Sequence, residues 1–489
     1  MDTLLFKPTS RPFPAEALPE AVYDDDPRFV ELWHDAWRLA WKHVYESEHM
    51  PCSPYLGEGC GINRIWLWDS CFMTLFTRYS NSLFPAGNTL DNFYRVISGE
   101  CDSPILVHHP DNPPLFAWAE LELYQQTGNL NRLEKLMSSG VLEQHYHWLE
   151  HTASPGECVA WGAIHVNWKH LPEGYMWSGM PSGMDNTPRG RGYYDSIMWV
   201  DALAQQGLFA QGIAELARLT GREELREKFQ REYEAKKQLM QRYFDSRDQC
   251  FYDRRIPCRV AGEAFFCRVL TPVSFWPLLA GMATPEQARA MVETLLDPTK
   301  LGGPIACPSI ARDDPQFVPS GEYWRGSVWV PVFYMTMKAL EQYGFYDLAE
   351  KLSIQLLDWM KRCYDDVSPH TIWECYSPTE PLPADNKWKK TVRPDFCGWS
   401  ALGPVSLFLE NVIGLYKMSA VEQIVHWRLP ACCKLRGVRK LQLGVNRISL
   451  LADSDSVSVT SSQPFMLVLN GKEHYLHGGQ QILKRPRSI

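Results

Sequence analysis

The stretch LARLTGREELREKF, residues 216–229, indicates the fold of this chain. It reads as a helix, then Gly221, a short polar turn and a second helix. The same arrangement recurs around Gly128 in LYQQTGNLNRLEKL and around Gly344 in LEQYGFYDLAEKL. Glycine suits these positions because a helix C-terminus often needs a left-handed residue. Repeated helical hairpins favour a closed helical array over a layered α/β fold, so we predict a mainly α protein.

Other helix signals extend this pattern up to about residue 418. The segment DPRFVELWHDAWRLAWKHV begins with Asp26 as a predicted N-cap and Pro27 at the first helical position. Its apolar residues recur at spacings of three and four, which predicts one buried helix face made of Phe29, Trp33, Trp37, Ala40 and Trp41. The segment TPEQARAMVETLLDP carries a capping box from Thr284 to Gln287 and stops before Pro298.

The pattern changes after about Ala420. The stretch GVRKLQLGVNRISLLADSDSVSVTSSQPFMLVLNGKEHYL alternates apolar and polar residues and is rich in β-branched side chains. It contains Asn470-Gly471, a hairpin-turn signal. We therefore predict a helical domain over residues 1–420 and a small C-terminal antiparallel β-module over residues 421–489.

Composition excludes several classes of function. The chain has 489 residues, of which 45% are hydrophobic, enough for a large core. Its formal net charge is -8 without any lysine and arginine block, which argues against nucleic acid and anionic membrane as partners. No apolar run suits a signal peptide or a membrane span. The 14 cysteines lack a CxxC pair, so we expect reduced thiols and a cytoplasmic location. No metal-ligand spacing appears, and no cofactor is predicted.

Long loops separate the predicted hairpins. They are rich in glycine, proline, tryptophan and acidic residues, and they cover residues 50–70, 98–115, 161–195, 300–327 and 370–400. Loops of this length inside a compact domain are usually functional. Within them, tryptophans stand beside charged groups in RIWLWDSCF, HHPDNPPLFAW, YMWSGMPSGMDNTPRG, GEYWRGSVWVP, and HTIWECYSP followed by DFCGWSALGP. Indoles stack on the C–H faces of sugars while carboxylates and arginine bind the hydroxyls, so the pattern indicates a carbohydrate site.

Two acids in these loops form a candidate catalytic pair. Cleavage of a glycosidic bond needs one carboxyl group to protonate the leaving oxygen and a second one to attack or to activate water. Asp185 lies in a loop that is stiffened by Gly179, Pro181, Gly183 and Pro188. Glu374 lies between Trp373 and Tyr376. Taken alone, Asp185 also suits a plain turn and Glu374 a solvated surface position.

The motifs taken together resemble a known family. SGMDNTPR is similar to the signature around the catalytic acid of family 63 glycoside hydrolases, which include processing α-glucosidase I and the bacterial mannosylglycerate and glucosylglycerate hydrolases. WLWDSCF, YWRGSVW and WECYSP look like other motifs of that family, in the expected order. The resemblance covers roughly residues 25–418, and trehalases share it more distantly. It implies an (α/α)6 barrel and an inverting mechanism with Asp185 as general acid and Glu374 as general base.

The same resemblance implies the binding residues and the activity. Asp69 would hold sugar hydroxyls in the innermost subsite, whose walls would be Trp66, Trp68, Tyr323, Trp324, Arg325, Trp329 and Trp399. The expected protein is an inverting, exo-acting α-glycosidase that hydrolyses a small α-glucoside or α-mannoside, of the disaccharide or glycosylglycerate type. Its partner is a small carbohydrate substrate, and its oligomeric state is left open.

Two other functions fit a helical chain with an aromatic cleft. Sugar 2-epimerases use histidines as acid and base, for which this chain offers His108, His109, His165 and His370. None of these histidines lies in a segment that resembles those enzymes. A non-catalytic carbohydrate-binding protein would keep the aromatic cleft, but it would not need both Asp185 and Glu374.

Overall fold

A computed structural model describes residues 7–59, 65–101, 107–108, 113–150, 159–161, 164–166, 169–176, 182–189, 197–255 and 266–485. Helices dominate the part before the C-terminal module. The α-helices are α1 (Pro27–Trp41), α2 (Leu67–Thr77), α3 (Ala86–Ile97), α4 (Phe116–Thr127), α5 (Leu130–Ser139), α6 (Val141–Glu150), α7 (Val200–Leu219), α8 (Glu223–Met240), α9 (Trp276–Leu279), α10 (Pro285–Leu296), α11 (Val330–Gln342) and α12 (Tyr346–Asp366). A π-helix follows at Gly403–Val412.

The predicted helix starts are confirmed. The side chain of Asp26 accepts a hydrogen bond from the backbone N–H of Arg28 at the start of α1, and the predicted apolar face of this helix is buried. At α10, Thr284 and Gln287 form both hydrogen bonds of the capping box. These contacts satisfy backbone N–H groups that have no partner inside the helix.

The predicted helical hairpins are confirmed as well. Gly128, Gly221 and Gly344 follow α4, α7 and α11 with φ values of 62°, 68° and 81°. Helices α7 and α8 pack against each other, as do α11 and α12. Helix α1, the first helix of the chain, contacts both α12 and the π-helix, which are the last two. Because the first helix meets the last ones, the helical array closes on itself.

Short strands lie before and between the helices of the helical part. They are β1 (Lys7–Pro8), β2 (Glu20–Tyr23), β3 (Val44–Glu46), β4 (Tyr55–Leu56), β5 (Ile65–Trp66), β6 (Val107–His108), β7 (Val159–Trp161), β8 (Ile164–Val166), β9 (Lys169–Leu171), β10 (Gly174–Met176), β11 (Ile197–Met198), β12 (Phe244–Asp245), β13 (Cys250–Phe251), β14 (Asp253–Arg255) and β15 (Phe266–Cys267). Strands β15, β14, β11, β10 and β9 form one antiparallel sheet in that order.

Longer strands build the C-terminal module: β16 (Lys417–Ser419), β17 (Ile424–Trp427), β18 (Arg436–Leu443), β19 (Asn446–Ala452), β20 (Ser456–Ser461), β21 (Phe465–Leu469), β22 (Lys472–Leu476) and β23 (Gly479–Lys484). Asn470 and Gly471 connect β21 and β22 with φ values of 48° and 82°, which confirms the predicted turn. The prediction of a wholly antiparallel module is wrong at one pair, because β17 and β21 run parallel. Alternating side chains cannot distinguish the two strand directions.

The module shares one of its two sheets and its hydrophobic core with the rest of the chain. Strand β2, from the N-terminal part, pairs with β18 at the edge of the five-stranded sheet. The buried indole of Trp427 donates a 2.8 Å hydrogen bond to the carbonyl of Ile413, and the N–H of Gly444 bonds to the carbonyl of Gln126 at 2.9 Å. The module is therefore packed against the helices, and the boundary at residues 420 and 421 stays a prediction.

Candidate active site

Asp185 lies in the connection between the neighbouring strands β10 and β11. Its described segment, residues 182–189, packs on the indole of Trp68, where a Cβ on Gly183 would lie 2.7 Å from the ring. Gly183 also has a φ of 79°, a left-handed conformation that costs glycine little. The loop reaches Trp68 only because residue 183 has no side chain. Gly179 and Pro181, which were expected to stiffen the same loop, lie outside the described residues.

Arg189 anchors the end of this loop in the core. Its guanidinium donates hydrogen bonds of 2.6 and 2.7 Å to Asp201 and of 2.9 and 2.6 Å to Asp253. It also lies 4.2 Å from the ring centroid of Trp199. Arg189 is 1% exposed, and a buried ion pair of this geometry holds its backbone firmly. The loop is therefore fixed to the start of α7 and to β14.

Asn186 joins the acid loop to a second segment of the site. Its side-chain oxygen accepts a 2.8 Å hydrogen bond from the N–H of Trp324, and its nitrogen donates one of 2.9 Å to the carbonyl of Glu322. The oxygen and the nitrogen of the Asn186 side chain thus both form hydrogen bonds to residues 322–324. Glu322 and Tyr323 have φ values of 35° and 67°, a left-handed region that non-glycine residues rarely adopt and that recurs at functional sites.

Glu374 is buried at 4% exposure. Its Oε1 accepts a 3.0 Å hydrogen bond from the hydroxyl of Tyr323, and its Oε2 accepts one of 3.4 Å from the backbone N–H of Arg393. Burial raises the pKa of the Glu374 carboxyl, the charge of Arg393 and the Tyr323 hydrogen bond oppose this, and the charge of Asp185 raises it further. The carboxyl is thus held between two donors within the field of Asp185.

Asp69 completes a group of three acids. It lies in the first turn of α2 and is 6% exposed. Burial raises the pKa of the Asp69 carboxyl well above its usual range; its own backbone N–H opposes this, and the negative charges of Glu374 and Asp185 add to it. Because both charges act on Asp69, the three carboxyl groups share one neighbourhood. The expectation that Trp68 and Asp69 lie in a loop is wrong, since α2 already begins at Leu67.

Four predicted indoles form one buried layer, the indole layer, made of Trp68, Trp324, Trp329 and Trp399. Trp324 and Trp329 stack in parallel with centroids 4.1 Å apart and planes at 3°. Trp399 meets Trp68 and Trp329 edge to face, each at 5.6 Å. All four are at most 5% exposed. The indoles therefore pack chiefly on one another, and Tyr323 covers Trp329 at 4.8 Å.

The remaining predicted residues lie at the margin of this layer. Trp66 is half-buried in β5. Arg325 forms an ion pair with Glu322 at 3.3 Å, with 39% of its side chain exposed, and has no cation–π contact with a ring of the described residues. His370 is exposed and bonds the carbonyl of Tyr364 at 2.7 Å. His109 and the side chains of His108 and His165 lie outside the described residues.

A cation at the site was not predicted from the sequence. Nζ of Lys387 lies 2.9 Å from Oδ2 of Asp185, and these side chains are 30% and 27% exposed. Asn186, Arg189 and Arg393 were missed as well. A signal for Lys387 does exist, because NKWKK at residues 386–390 concentrates three lysines in an acidic chain.

Two further observations concern the described part of the chain. No group of three or more His, Cys, Asp or Glu side chains there is arranged to hold a metal ion. None of its helices has the length and apolar character needed to span a membrane.

Comparison with known proteins identifies relatives. The family described as "Mannosylglycerate hydrolase MGH1-like glycoside hydrolase domain" matches residues 64–388, a range that contains Asp69, Asp185 and Glu374. A protein of Borreliella burgdorferi is 25% identical over 82% of this chain and 81% of its own. A probable mannosyl-oligosaccharide glucosidase of Schizosaccharomyces pombe is 23% identical over 78% of this chain and 52% of its own, so the chain spans about half of that relative.

A solved structure agrees with these matches. The GH63 mannosylglycerate hydrolase of Thermus thermophilus, in complex with glucose, has a TM-score of 0.57 at 18% identity. It covers 76% of this chain, and the match covers 98% of that protein. The likeness supports a common fold. Together with the family match, it confirms the resemblance to family 63 glycoside hydrolases that was recognised in the sequence.

Proposed function

Because the chain belongs to the mannosylglycerate hydrolase MGH1-like glycoside hydrolase family, we propose that it is an inverting, exo-acting α-glycosidase. Its substrate is a small α-glucoside or α-mannoside, either a disaccharide or a glycosylglycerate. The names of two relatives, a mannosylglycerate hydrolase and a probable mannosyl-oligosaccharide glucosidase, support a mannoside or glucoside as substrate.

One observation carries this proposal: both candidate catalytic acids are tied to one short segment, residues 322–324. The Asp185 loop is joined to Trp324 through Asn186, and Glu374 is joined to Tyr323 by the tyrosine hydroxyl. Catalysis by a pair of carboxyl groups depends on a fixed distance across the scissile bond. A shared, conformationally strained support suits that requirement.

In the proposed reaction, Asp185 donates its proton to the glycosidic oxygen while the bond from that oxygen to the anomeric carbon breaks. Glu374 accepts a proton from a water molecule, whose oxygen bonds to the anomeric carbon from the opposite face. The sugar leaves with inverted configuration, and the leaving group keeps the proton from Asp185. One turnover consumes one water, and the proton taken up by Glu374 returns to Asp185 through solvent.

Asp69 and the aromatic residues are proposed to bind the sugar. Asp69 binds hydroxyls of the innermost sugar, and Trp66, Tyr323, Arg325 and the indole layer form the walls of its subsite. The buried indole N–H groups of Trp373 and Trp399 have no hydrogen-bond partner among the described residues. Buried donors normally have partners, so these two N–H groups, one of them on the residue before Glu374, agree with a site that binds a hydroxylated molecule.

The proposed architecture is an (α/α)6 barrel over residues 1–420 that carries the β-module of residues 421–489. The helical hairpins and the contact of α1 with α12 support it. In such a barrel the loops and the helix starts at one end collect residues from distant parts of the chain, as the three acids require.

The function is tested by activity on matched glycosides. The purified chain is incubated with α-glucosyl and α-mannosyl disaccharides and glycerates, and the released sugar is measured. Asp185→Asn and Glu374→Gln should each lower kcat by about 10²–10⁴-fold, the range for general acid–base catalysis. The matched control Glu286→Gln changes an exposed acid of α10 and should keep full activity. Near-normal turnover in either catalytic variant would contradict the assignment.

A further inference from the structure

A cavity outside the candidate active site lies where the helices meet the β-module. It has a volume of about 260 Å³, and we call it the junction cavity. Its walls come from the turn after α2, from α4, α7 and α11, and from the segment that leads into β16. The lining includes Arg78, Leu121, Gln125, Lys338, Tyr416 and Met418.

The junction cavity is separate from the three candidate acids, none of which lines it. Asp69 lies in the first turn of α2, whereas Arg78 follows the last residue of that helix. Trp329 precedes α11, and Lys338 lies within it. A helix rises about 1.5 Å per residue, so nine positions place the two members of each pair about 14 Å apart.

The buried charges in one wall are already paired within the protein. Arg78, at 7% exposure, contacts Glu122 and donates hydrogen bonds to Tyr79 at 2.8 Å and to Glu410 at 3.1 Å. Lys338 donates one of 2.8 Å to Glu410. Across the lining three cationic side chains balance three acidic ones: Arg78, Lys338, Lys417, Glu122, Glu215 and Glu422. A charged ligand meets no excess of opposite charge there, so the lining suits an uncharged molecule.

Two polar atoms of the lining residues have no partner among the described residues. They are Nε of Arg78 and the side-chain oxygen of Gln125, and both are buried. Buried polar groups normally form hydrogen bonds. One of the two atoms is a donor and the other an acceptor, and a hydroxyl group bonds to both kinds. A molecule with several hydroxyl groups therefore matches what this lining leaves unsatisfied.

The remaining wall is apolar and holds an aromatic ring. Leu121, Leu415, Tyr416 and Met418 contribute to it. The ring of Tyr416 packs on that of Tyr346 with centroids 4.9 Å apart, which fixes its position. Sites for small molecules combine such apolar surface with a few placed polar groups, and pockets for drug-sized ligands measure about 300–1,000 Å³. The junction cavity is slightly smaller and therefore suits one small molecule.

We propose that the junction cavity binds one small uncharged polyol, such as a monosaccharide, at a site distinct from the candidate active site. The polar lining bonds to its hydroxyl groups, and the apolar wall packs on its C–H groups. Because the walls belong to the helices and to the β-module, the bound molecule contacts both parts of the chain. Binding at this site does not depend on the proposed hydrolysis.

Methyl NMR of the full chain with isotope-labelled methionine tests the site. Met418 lines the cavity, whereas Met184 precedes Asp185 in the acid loop, so the two methyl signals report on the two sites separately. Met418→Leu and Met184→Leu assign them. D-glucose, D-mannose, glycerol and myo-inositol are titrated singly, with sodium sulfate and ethylammonium chloride as charged probes. We expect at least one polyol, and neither charged probe, to shift the Met418 signal saturably.

Three variants show whether the response comes from the cavity. Gln125→Leu removes the acceptor and should raise the Kd measured at Met418 by at least about threefold, for the loss of one hydrogen bond. Leu121→Trp fills the cavity from α4 and should abolish the shift. Gln238→Leu, the matched control at an exposed position of α8, should keep the Kd of the wild type.

The inference is overturned if no polyol shifts the Met418 signal saturably or if a charged probe does so. It is also overturned if the Kd is unchanged in Gln125→Leu or if the shift persists in Leu121→Trp. Hydrolysis of α-glycosides is measured on the same samples. A chain that responds at Met418 but hydrolyses none of them would contradict the proposed function alone.

Discussion

The hydroxyl of Tyr323 donates a 3.0 Å hydrogen bond to Oε1 of Glu374, from a backbone with a φ of 67°. A non-glycine residue in this region stores about 1–3 kcal/mol of strain and persists only where its surroundings impose it. Here Asn186 holds the flanking residues, and the N–H of Tyr323 bonds to the carbonyl of Asp385. The strained backbone thus directs a donor at the candidate base.

Tyr323→Phe removes that donor. The hydrogen bond favours the ionised form of Glu374 and so lowers the pKa of its carboxyl; its loss should raise this pKa. A general base acts only when ionised, so activity is lost as pH falls through its pKa. We expect the acidic limb of the kcat/KM profile to move up by about one to two pH units, from a charged hydrogen bond of about 1.5–3 kcal/mol.

The matched control is Tyr343→Phe, which removes a hydroxyl that bonds the carbonyl of Ala283 at 2.7 Å. It should leave the acidic limb in place. An unmoved acidic limb in Tyr323→Phe would mean that Glu374 is not the titrating base or that this hydrogen bond does not tune it.

Asn186→Ala removes the hydrogen bonds that join the Asp185 loop, residues 182–189, to residues 322–324. Both hydrogen bonds of the amide are lost, so Asp185 and Tyr323 are no longer fixed relative to each other. Misplacement of a catalytic group by about 1 Å costs about 10²-fold, and we expect kcat to fall by that order with little change in KM. Asn131→Ala, at an exposed position of α5, is the control, and equal kcat values in the two variants would contradict the link.

Gly183→Ala tests the close approach of the acid loop to Trp68. The added Cβ would lie 2.7 Å from the indole, so the loop must shift and carry Asp185 with it. Gly221→Ala is a matched control, with a φ of 68° and nothing within 4 Å of its Cβ. Denaturant unfolding should give a loss of about 1 kcal/mol for Gly221→Ala from backbone strain and about 2–4 kcal/mol for Gly183→Ala. Only Gly183→Ala should lower kcat.

Arg189→Met tests the anchor of the loop. It leaves Asp201 and Asp253 buried without their cation, which costs about 3–5 kcal/mol of unfolding free energy. Arg226→Met removes an exposed i,i+3 pair of α8 and should change stability little. Urea denaturation followed by circular dichroism measures both, and a loss below about 1 kcal/mol for Arg189→Met would show that the ion pair does not anchor the loop.

The helical part was predictable because its signals are local. Gly128, Gly221 and Gly344 each end a helix in a left-handed conformation, and a capping box needs only four neighbouring residues. The candidate acids were recognised because motif segments combine acids with indoles at short spacing. Each of these inferences depends on residues that are close together in the sequence.

The features that the sequence did not predict depend on contacts between distant segments of the chain. Nothing near Lys387 in the sequence indicates that it meets Asp185, and nothing near Glu20 indicates that β2 joins a C-terminal sheet. The stacking of Trp68, Trp324, Trp329 and Trp399 into one layer was not predicted either, because it joins residues from distant parts of the chain. Such outcomes follow from chain packing, which local patterns do not encode.

The central claim is that Asp185 and Glu374 act as acid and base on opposite sides of an α-glycosidic bond. Proton NMR at early times of hydrolysis, before the anomers interconvert, tests it most directly. Since water attacks from the face opposite to the leaving group, the first sugar released from an α-glucoside or α-mannoside should be the β-anomer. Appearance of the α-anomer as the first product would contradict the inverting mechanism and the roles assigned to both acids.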